Sequence, residues 1–223
     1  MQKLAQGFLI NLEGGEGTGK TSHIPYLVEH LREKGFIVYP TREPGGTSIG
    51  EQIREVLHDL KNTEMHPRTE TLLYQSSRAQ IVEQELKSRL NKNEIIICDR
   101  FFDSTIAYQG FGHKQNIARI NWLIDYATGG LTPDLTILLD IDPEIGHGRK
   151  KNTLEWNRMD AMDKEFYERV RRGYIKMAEI DARWIIIDAS NEIEQVRMDL
   201  IRETTKRLSL IGLIESESKG VER

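Results

Sequence analysis

The stretch that decides the fold reads FLINLEGGEGTGKT and covers residues 8–21. Its first part, Phe8–Leu12, is almost wholly apolar, which is typical of a strand covered on both faces of a parallel sheet. Its second part, Gly14–Thr21, fits the pattern G-x-x-x-x-G-K-[ST] and leads directly into an amphipathic segment. Strand, glycine-rich turn and helix in this order are the context in which that pattern binds nucleotide phosphates.

The glycines of this loop let the backbone turn tightly, so that successive N–H groups point into one concavity. The helix that follows adds its positive N-terminal end. We expect Lys20 to reach the β- and γ-phosphates of a nucleotide and the Thr21 hydroxyl to be a ligand of Mg²⁺. The expected nucleotide-binding residues are Gly14, Gly15, Glu16, Gly17, Thr18, Gly19, Lys20 and Thr21. Many classes of nucleotide-binding protein share this loop, so it does not choose among them.

Short apolar runs alternate with amphipathic segments along the rest of the chain. The predicted strands are Phe8–Leu12, Phe36–Tyr39, Ile95–Cys98, Leu135–Asp140 and Trp184–Ile187. The predicted helices are Lys20–Lys34, Ser48–Leu60, Pro67–Asn91, Asn116–Thr128, Lys164–Asp181 and Glu192–Arg207. This alternation predicts an α/β protein with a five-stranded parallel sheet between helices, a three-layer P-loop NTPase fold formed by residues 1–210 as one domain.

Two segments depart from the alternation. Gly146–Asp163 is rich in basic residues and has little apolar periodicity, so we expect a short, exposed and mobile lid. The chain from Ser209 onward lacks the apolar content needed to pack, which predicts fraying there and a flexible tail over residues 211–223.

Composition excludes several classes of function. The formal net charge of −4 argues against a nucleic-acid polymer as partner, because phosphate backbones require a dense basic face. The single cysteine, Cys98, lies in an apolar run and is predicted to be a buried core residue. The polar N-terminus does not resemble a signal peptide, and no apolar run approaches the roughly 20 residues that span a bilayer. We therefore predict a cytoplasmic protein without a membrane partner.

Asp99 and Arg100 follow the third predicted strand directly. The carboxyl ends of central parallel strands are where open α/β sheets bind their ligands. Asp99 could hold Mg²⁺ or its waters, or position an attacking phosphate, and Arg100 could clamp a phosphate with two hydrogen bonds. The alternative is an ordinary ion pair at the end of a strand.

Polar side chains continue beyond Arg100. Ser104 and Tyr108 are four residues apart, as are Thr105 and Gln109, so each pair would share one face of a helix. Such a set suits a base or a sugar hydroxyl. The alternative for Ser104 is a helix start, capped by Ser104 itself or by Asp103.

Tyr74 and Arg78 are also four residues apart on a predicted helix. The aromatic ring could stack on a base while the guanidinium donates to its edge. On these residues alone, a tyrosine in the core with the arginine at its rim is the better interpretation.

Five blocks of this sequence resemble the thymidylate kinase family in order and spacing. They are Ile97–Gln109, Thr41–Thr47, Ser77–Gln80, Pro133–Leu135 and Leu139–Glu144. The resemblance covers about residues 7 to 208. It implies transfer of the γ-phosphate of Mg-ATP to dTMP, giving dTDP and ADP in dTTP synthesis, by an enzyme that commonly forms homodimers.

The resemblance also implies roles for individual residues in binding dTMP. Glu16 would contact the 3′-hydroxyl, Tyr74 would stack on the thymine, and Arg78 would donate a hydrogen bond to it. Arg100 would bind the dTMP phosphate, with Asp99 beside the metal.

Other matched positions surround the same nucleotide. Thr105 and Gln109 would lie near the base, and Tyr108 would crowd the ribose 2′ position and favour deoxyribose. Arg54 would join the phosphate pocket.

Some family members carry a catalytic arginine in the P-loop, at the position that is Gly17 here. This chain instead resembles the group whose lid supplies the basic residues, so Arg149 and Arg158 are the expected catalytic arginines. Lys150 and Lys151 are further candidates. The sequence Asn157–Asp160 departs from the family's usual Asp-Arg-x-Glu, which leaves the lid contacts open.

Two alternative functions are compatible with the fold. One is a kinase for a nucleoside or a different monophosphate, and the other is a nucleotide sensor that retains the P-loop without activity. The sensor predicts loss of the lid arginines or of the Asp99–Arg100 pair, and both are present.

Overall fold

The computed structural model describes residues 6–150 and 157–213. Its strands are β1 (Phe8–Glu13), β2 (Val38–Arg42), β3 (Ile95–Asp99), β4 (Leu135–Asp140) and β5 (Trp184–Asp188). They form one sheet in the order β2-β3-β1-β4-β5, and every neighbouring pair is parallel. The predicted five-stranded parallel sheet is confirmed.

Helices connect the strands. They are α1 (Lys20–Glu33), α2 (Ser48–His58), α3 (Pro67–Ile81), α4 (Lys87–Asn91), α5 (Phe102–Thr105), α6 (Ile117–Thr128), α7 (Pro143–Lys150), α8 (Lys164–Ile180) and α9 (Ile193–Leu210). The predicted helix Pro67–Asn91 corresponds to α3 and α4 joined by a π-helical segment, Val82–Leu86. A second π-helical segment, Ile106–Gly112, continues α5, and a short 3₁₀ turn covers Arg158–Ala161.

The alternation of side chains along β1 divides the core between the two faces of the sheet. Phe8, Ile10 and Leu12 pack with the apolar sides of α1 and α9. Leu9 packs on the opposite face with residues of α6 and of the π-helical segment Val82–Leu86. A third cluster joins α8 to β4 and to the segment Ile106–Gly112. Helices on both faces complete the three layers.

The expectation of an exposed lid is wrong for part of the segment. α7 already begins at Pro143, and Arg158, Met159 and Asp160 are buried. Asn157 and Asp160 cap the 3₁₀ turn reciprocally, and Met159 joins the third core cluster. Sequence periodicity could not reveal this burial, because the turn is too short to show a period.

The end of the chain also differs from expectation. α9 continues to Leu210, and Leu213 packs against the core cluster of α1 and α9. The prediction that the chain from Ser209 lacks packing is therefore wrong for Leu213. Lys151 and residues 214–223 lie outside the described residues, so their predicted roles stay predictions. Over residues 6–150 and 157–213, no helix has both the length and the apolar character needed to cross a membrane.

Candidate active site

A cavity of about 620 Å³ opens at the carboxyl ends of β1 and β3. The P-loop forms one wall, and the segment from Asp99 to Gln109 forms another. The sequence-predicted residues that line it are Glu16, Gly17, Thr18, Gly19, Lys20, Thr21, Arg54, Tyr74, Arg78, Asp99, Arg100, Ser104, Thr105, Tyr108, Gln109, Arg149 and Lys150. Gly14, Gly15 and Arg158 are not among the lining residues.

Lys20 is buried at the base of the P-loop. Its Nζ donates to the carbonyl oxygens of Gly14 (3.1 Å) and Gly15 (2.9 Å) and to the Thr18 hydroxyl (3.2 Å). Burial, reinforced by the nearby Arg100 guanidinium, lowers the pKa of Lys20 to about 8. A negative ligand beside it would favour the charged form.

The P-loop and α7 approach so closely that no side chain fits between them. A Cβ atom added at Gly17, where φ is +68°, would lie 1.9 Å from the Gly146 carbonyl oxygen. One added at Gly146 would lie 2.2 Å from the Glu16 carbonyl oxygen. This backbone contact brings Arg149 and Lys150, at the end of α7, to the cavity.

Arg100 has φ of 70°, in the left-handed region that non-glycine residues rarely adopt. Its guanidinium donates to the Gly14 carbonyl oxygen and to Glu16 Oε1, both at 2.9 Å. Strained backbone is retained where surrounding contacts enforce it, and such positions cluster at functional sites. The strained conformation and these contacts fix the guanidinium beside the P-loop.

Glu16 is the acidic centre of the cavity. Burial alone would raise the pKa of its carboxyl group, but Arg100, Lys150 and Lys20 outweigh burial and hold it far below its ordinary value. Lys150 Nζ lies 2.6 Å from Glu16 Oε2, and the Tyr108 hydroxyl donates to Oε1 at 3.0 Å. Glu16 is therefore an ionised acceptor surrounded by cations.

Behind this centre lies Glu13, a fully buried carboxylate that sequence reasoning missed. It accepts hydrogen bonds from the Phe101 amide (3.0 Å), the Ser104 hydroxyl (2.6 Å) and the Tyr174 hydroxyl (2.8 Å). These contacts hold Phe101 and Ser104, which follow Arg100 in the chain, against the end of β1. The available signal was a glutamate at the end of an otherwise buried strand.

Arg78 is 1% exposed, although it lines the cavity. It donates to Gln75 and Thr105 (both 3.0 Å) and to the Phe101 carbonyl oxygen (3.1 Å), and it pairs with Glu43 at 2.6 Å. The Arg78 Nε also donates to Glu43 Oε2 at 2.8 Å, so four of the five N–H groups of the guanidinium are held by hydrogen bonds within the protein. Direct donation of two hydrogen bonds from Arg78 to a base would require one of these bonds to exchange.

Arg158 lies away from the cavity. Its guanidinium donates to the Leu57 carbonyl oxygen (3.0 Å) and to Glu70 Oε2 (2.5 Å), and both charged groups are buried. This arrangement joins the 3₁₀ turn to α2 and α3. The catalytic role that the resemblance implies for Arg158 stays a prediction, and in this conformation its guanidinium is engaged elsewhere.

The cavity also includes His58, Arg42 and Glu43, to which sequence reasoning gave no role. Burial, and then the positive charge of Arg54, lower the pKa of His58 to about 3, so its imidazole is neutral at physiological pH. Its spacing of four residues from Arg54 on α2 was the available signal. Arg42 and Glu43 belong to a block quoted for the resemblance.

Thr21 and Asp99 offer oxygen atoms to the same cavity. Over residues 6–150 and 157–213, no group of three or more acidic, histidine or cysteine side chains could hold a metal. Mg²⁺ is commonly held by one or two protein oxygens, substrate phosphates and waters. The residues present fit a magnesium ion bound together with a nucleotide.

The fold and the cavity together indicate the class of protein to which this chain belongs. A P-loop and a second cationic group, Arg100, face one space, which suits proteins that bring two phosphorylated ligands together. The chain is therefore a P-loop kinase in architecture.

Comparison with known proteins identifies the family. The family model for thymidylate kinase matches residues 12–200. A curated relative, the thymidylate kinase of Exiguobacterium sp. strain AT1b, is 42% identical over 208 residues, which cover 93% of this chain and 98% of that protein. The chain belongs to the thymidylate kinase family and is a nucleoside-monophosphate kinase. The resemblance found in the sequence blocks is thereby confirmed.

Proposed function

We propose that the protein transfers the γ-phosphoryl group of ATP to dTMP and that the cavity residues carry out the transfer. The supporting observation is the proximity of Lys20 in the P-loop to Arg100 across one cavity. ATP phosphates on the P-loop and a dTMP phosphate on Arg100 would be adjacent. Family membership supports the choice of substrate.

Phosphoryl transfer requires positioning and charge neutralisation more than covalent chemistry. A dTMP phosphate oxygen would attack the γ-phosphorus in line, with Lys20, Arg100, Arg149 and Lys150 around the transferring group. No general base is needed, because a phosphate monoester is mostly ionised at neutral pH. A magnesium ion beside Thr21 and Asp99 would supply further charge neutralisation.

The proposed dTMP pocket follows the other wall of the cavity. Tyr74 would stack on thymine, with Thr105 and Gln109 at the base edge. Glu16 would accept from the 3′-hydroxyl, and Tyr108, whose hydroxyl is held against Glu16, would occupy the space of a ribose 2′-hydroxyl. Arg54 and Ser104 also line the cavity.

A panel of acceptors tests this proposal. ADP release is measured with Mg-ATP and dTMP, dUMP, dCMP, dGMP, UMP or thymidine, with and without Mg²⁺. We expect preference for dTMP, little turnover of thymidine and dependence on Mg²⁺. Preference for another monophosphate would overturn the base assignments, and absence of any acceptor-dependent turnover would overturn the kinase function.

We further propose a homodimer. Trp122 and Tyr126 stack on each other on α6 and are 66% and 79% exposed, and Leu72 on the neighbouring α3 is 53% exposed. A second copy of this chain would cover such an apolar surface. Light scattering of the protein and of Tyr126→Glu tests it, and a monomeric parent protein would reject it.

The cytoplasmic location predicted from the sequence stays a prediction.

A further inference from the structure

Glu70 on α3 is a buried carboxylate next to the cavity but not among the residues that line it. Its side chain is 1% exposed. Gln109 Nε2 donates to its Oε1 at 2.8 Å, and His113 Nε2 lies 3.2 Å from the same oxygen. Arg158 donates to the other oxygen at 2.5 Å. One carboxylate thus joins α3, the π-helical segment that carries Gln109, and the turn that carries Arg158.

Glu70 is ionised in these surroundings. Burial would raise the pKa of its carboxyl group, but His113, Arg158 and the hydrogen bond from Gln109 outweigh burial and lower it. An ionised carboxylate can only accept hydrogen bonds. It therefore attracts the NH₂ end of the Gln109 amide and repels the carbonyl end.

The orientation of this amide has a chemical consequence. Gln109 lines the cavity and Glu70 does not, so the amide nitrogen is turned toward Glu70 and the carbonyl oxygen is left for the cavity side. An amide that is free to rotate can offer either a donor or an acceptor. An amide whose nitrogen is bound to Glu70 keeps its carbonyl oxygen on the side away from Glu70, so the group that it presents there is an acceptor.

We propose that Glu70 is a positioning residue that sets base specificity by fixing the amide of Gln109. The inference rests on the proposed function and deepens it. Thymine and uracil carry an N–H at ring position 3, which can donate to the Gln109 carbonyl oxygen. Cytosine has an unprotonated ring nitrogen there, which would face that oxygen as a second acceptor. Buried polar groups left without a partner are a strong source of discrimination.

The test is Glu70→Gln, which keeps the size of the side chain and removes its charge. kcat/KM is measured for dTMP, dUMP and dCMP with Mg-ATP. We expect the preference for dTMP over dCMP to fall by about tenfold, since the Gln109 amide can then rotate. The preference for dTMP over dUMP should change by less than about twofold, because both bases carry the same N–H. A merely structural role would not separate the two ratios.

His113→Asn is the matched control. It removes the other group that contacts Glu70 Oε1 while leaving the carboxylate that holds Gln109, so the dTMP to dCMP ratio should stay as in the parent protein. An unchanged ratio in Glu70→Gln, or an equal loss in both variants, would overturn the inference.

Glu70→Gln also removes the charge partner of Arg158 and could prevent folding. In that case the comparison is made between the parent protein and the double variant Glu70→Gln/Arg158→Met, which removes both charges of the buried pair together and leaves neither unpaired. The same loss of discrimination is expected in the double variant, and equal ratios would overturn the inference. A parent protein that does not phosphorylate dTMP would instead reject the proposed function, so the two failures are distinguishable.

Discussion

Two arginines that are paired with carboxylates, the partly exposed Arg100 and the buried Arg158, have contrasting surroundings. Both lie close to carboxylates, and sequence reasoning gave both a catalytic role. Arg100 lies on strained backbone, lines the cavity and shares Glu16 with Lys150. Arg158 faces away from the cavity and forms a buried pair with Glu70. The first region holds charge where a ligand can reach it, and the second uses charge to join three elements.

The difference teaches that burial of an ion pair does not by itself indicate function. The two regions differ in whether a second cationic side chain still contacts the carboxylate once the arginine binds a ligand instead. Glu16 keeps Lys150 at 2.6 Å. Glu70 would keep only His113 and the neutral Gln109. We therefore expect substitutions at Arg100 to change activity and those at Arg158 to change stability.

The largest effect is expected for Arg100→Ala. Loss of a positioned cation at the transferring phosphate should lower kcat/KM for dTMP by about 10²- to 10³-fold. The midpoint of thermal unfolding should change little, because Lys150 still neutralises Glu16. Steady-state kinetics and a thermal melt of the same preparation check this, and a large loss of stability with little loss of activity would reverse the comparison.

Arg158→Met should have the opposite profile. Removing one partner of a buried ion pair typically costs about 3–5 kcal/mol, because the other charge is left uncompensated. Urea unfolding measures this loss. Arg149→Met is the matched control, since Arg149 lines the cavity and bonds only a carbonyl oxygen, that of Ala189, among the contacts described. It should lower kcat with little change in stability, and an equal loss of stability in both variants would contradict the contrast.

The pH dependence separates Lys20 from Arg100. Lys20 is protonated below its pKa of about 8 in the free protein and loses its charge as the pH rises through that value. kcat/KM for ATP should therefore fall above pH 8, approaching about tenfold per pH unit. The pKa of Arg100 is raised well above its ordinary value, chiefly by Tyr108 and Glu16 against the opposing effect of burial. Accordingly, kcat/KM for dTMP at saturating ATP should stay flat over this range. A fall parallel to that of kcat/KM for ATP would contradict the assignment of Arg100 to the dTMP phosphate.

The smallest effect concerns the backbone of Arg100. Arg100→Gly and Arg100→Ala both remove the guanidinium, but only glycine adopts a φ of 70° without strain. The glycine variant should be more stable than the alanine variant by about 1 kcal/mol. Paired urea melts measure the difference, and equal stability would show that the loop relaxes once the side chain is gone.

The sequence predicted the sheet and most of the cavity because their signals are local. The strand Phe8–Glu13 and the P-loop are contiguous, and Asp99 and Arg100 follow a buried strand directly. The position of Arg158 was not predictable in this way. Its partner Glu70 is 88 residues away in the chain, so only the folded chain shows that the two charges meet.

Other residues carried a signal too weak to use. His58 shares a helix face with Arg54, but histidines at such positions are common and only the fold brings this one to the cavity. Glu13 looked like the end of a strand, and its role as an acceptor depends on Phe101, Ser104 and Tyr174, which lie far along the chain. Contacts over long sequence separations set the limit of prediction here.

The contact between Gly17 and Gly146 has a consequence for how the sequence can change. A side chain at either position would overlap backbone of the other segment. An arginine therefore cannot enter the P-loop at position 17 by a single tolerated substitution while α7 keeps its place. α7 would have to shift first, and with it Arg149 and Lys150. A basic side chain at position 17 and basic side chains at the end of α7 in its present place therefore exclude each other. A change from one arrangement to the other would pass through a protein in which neither arrangement is complete.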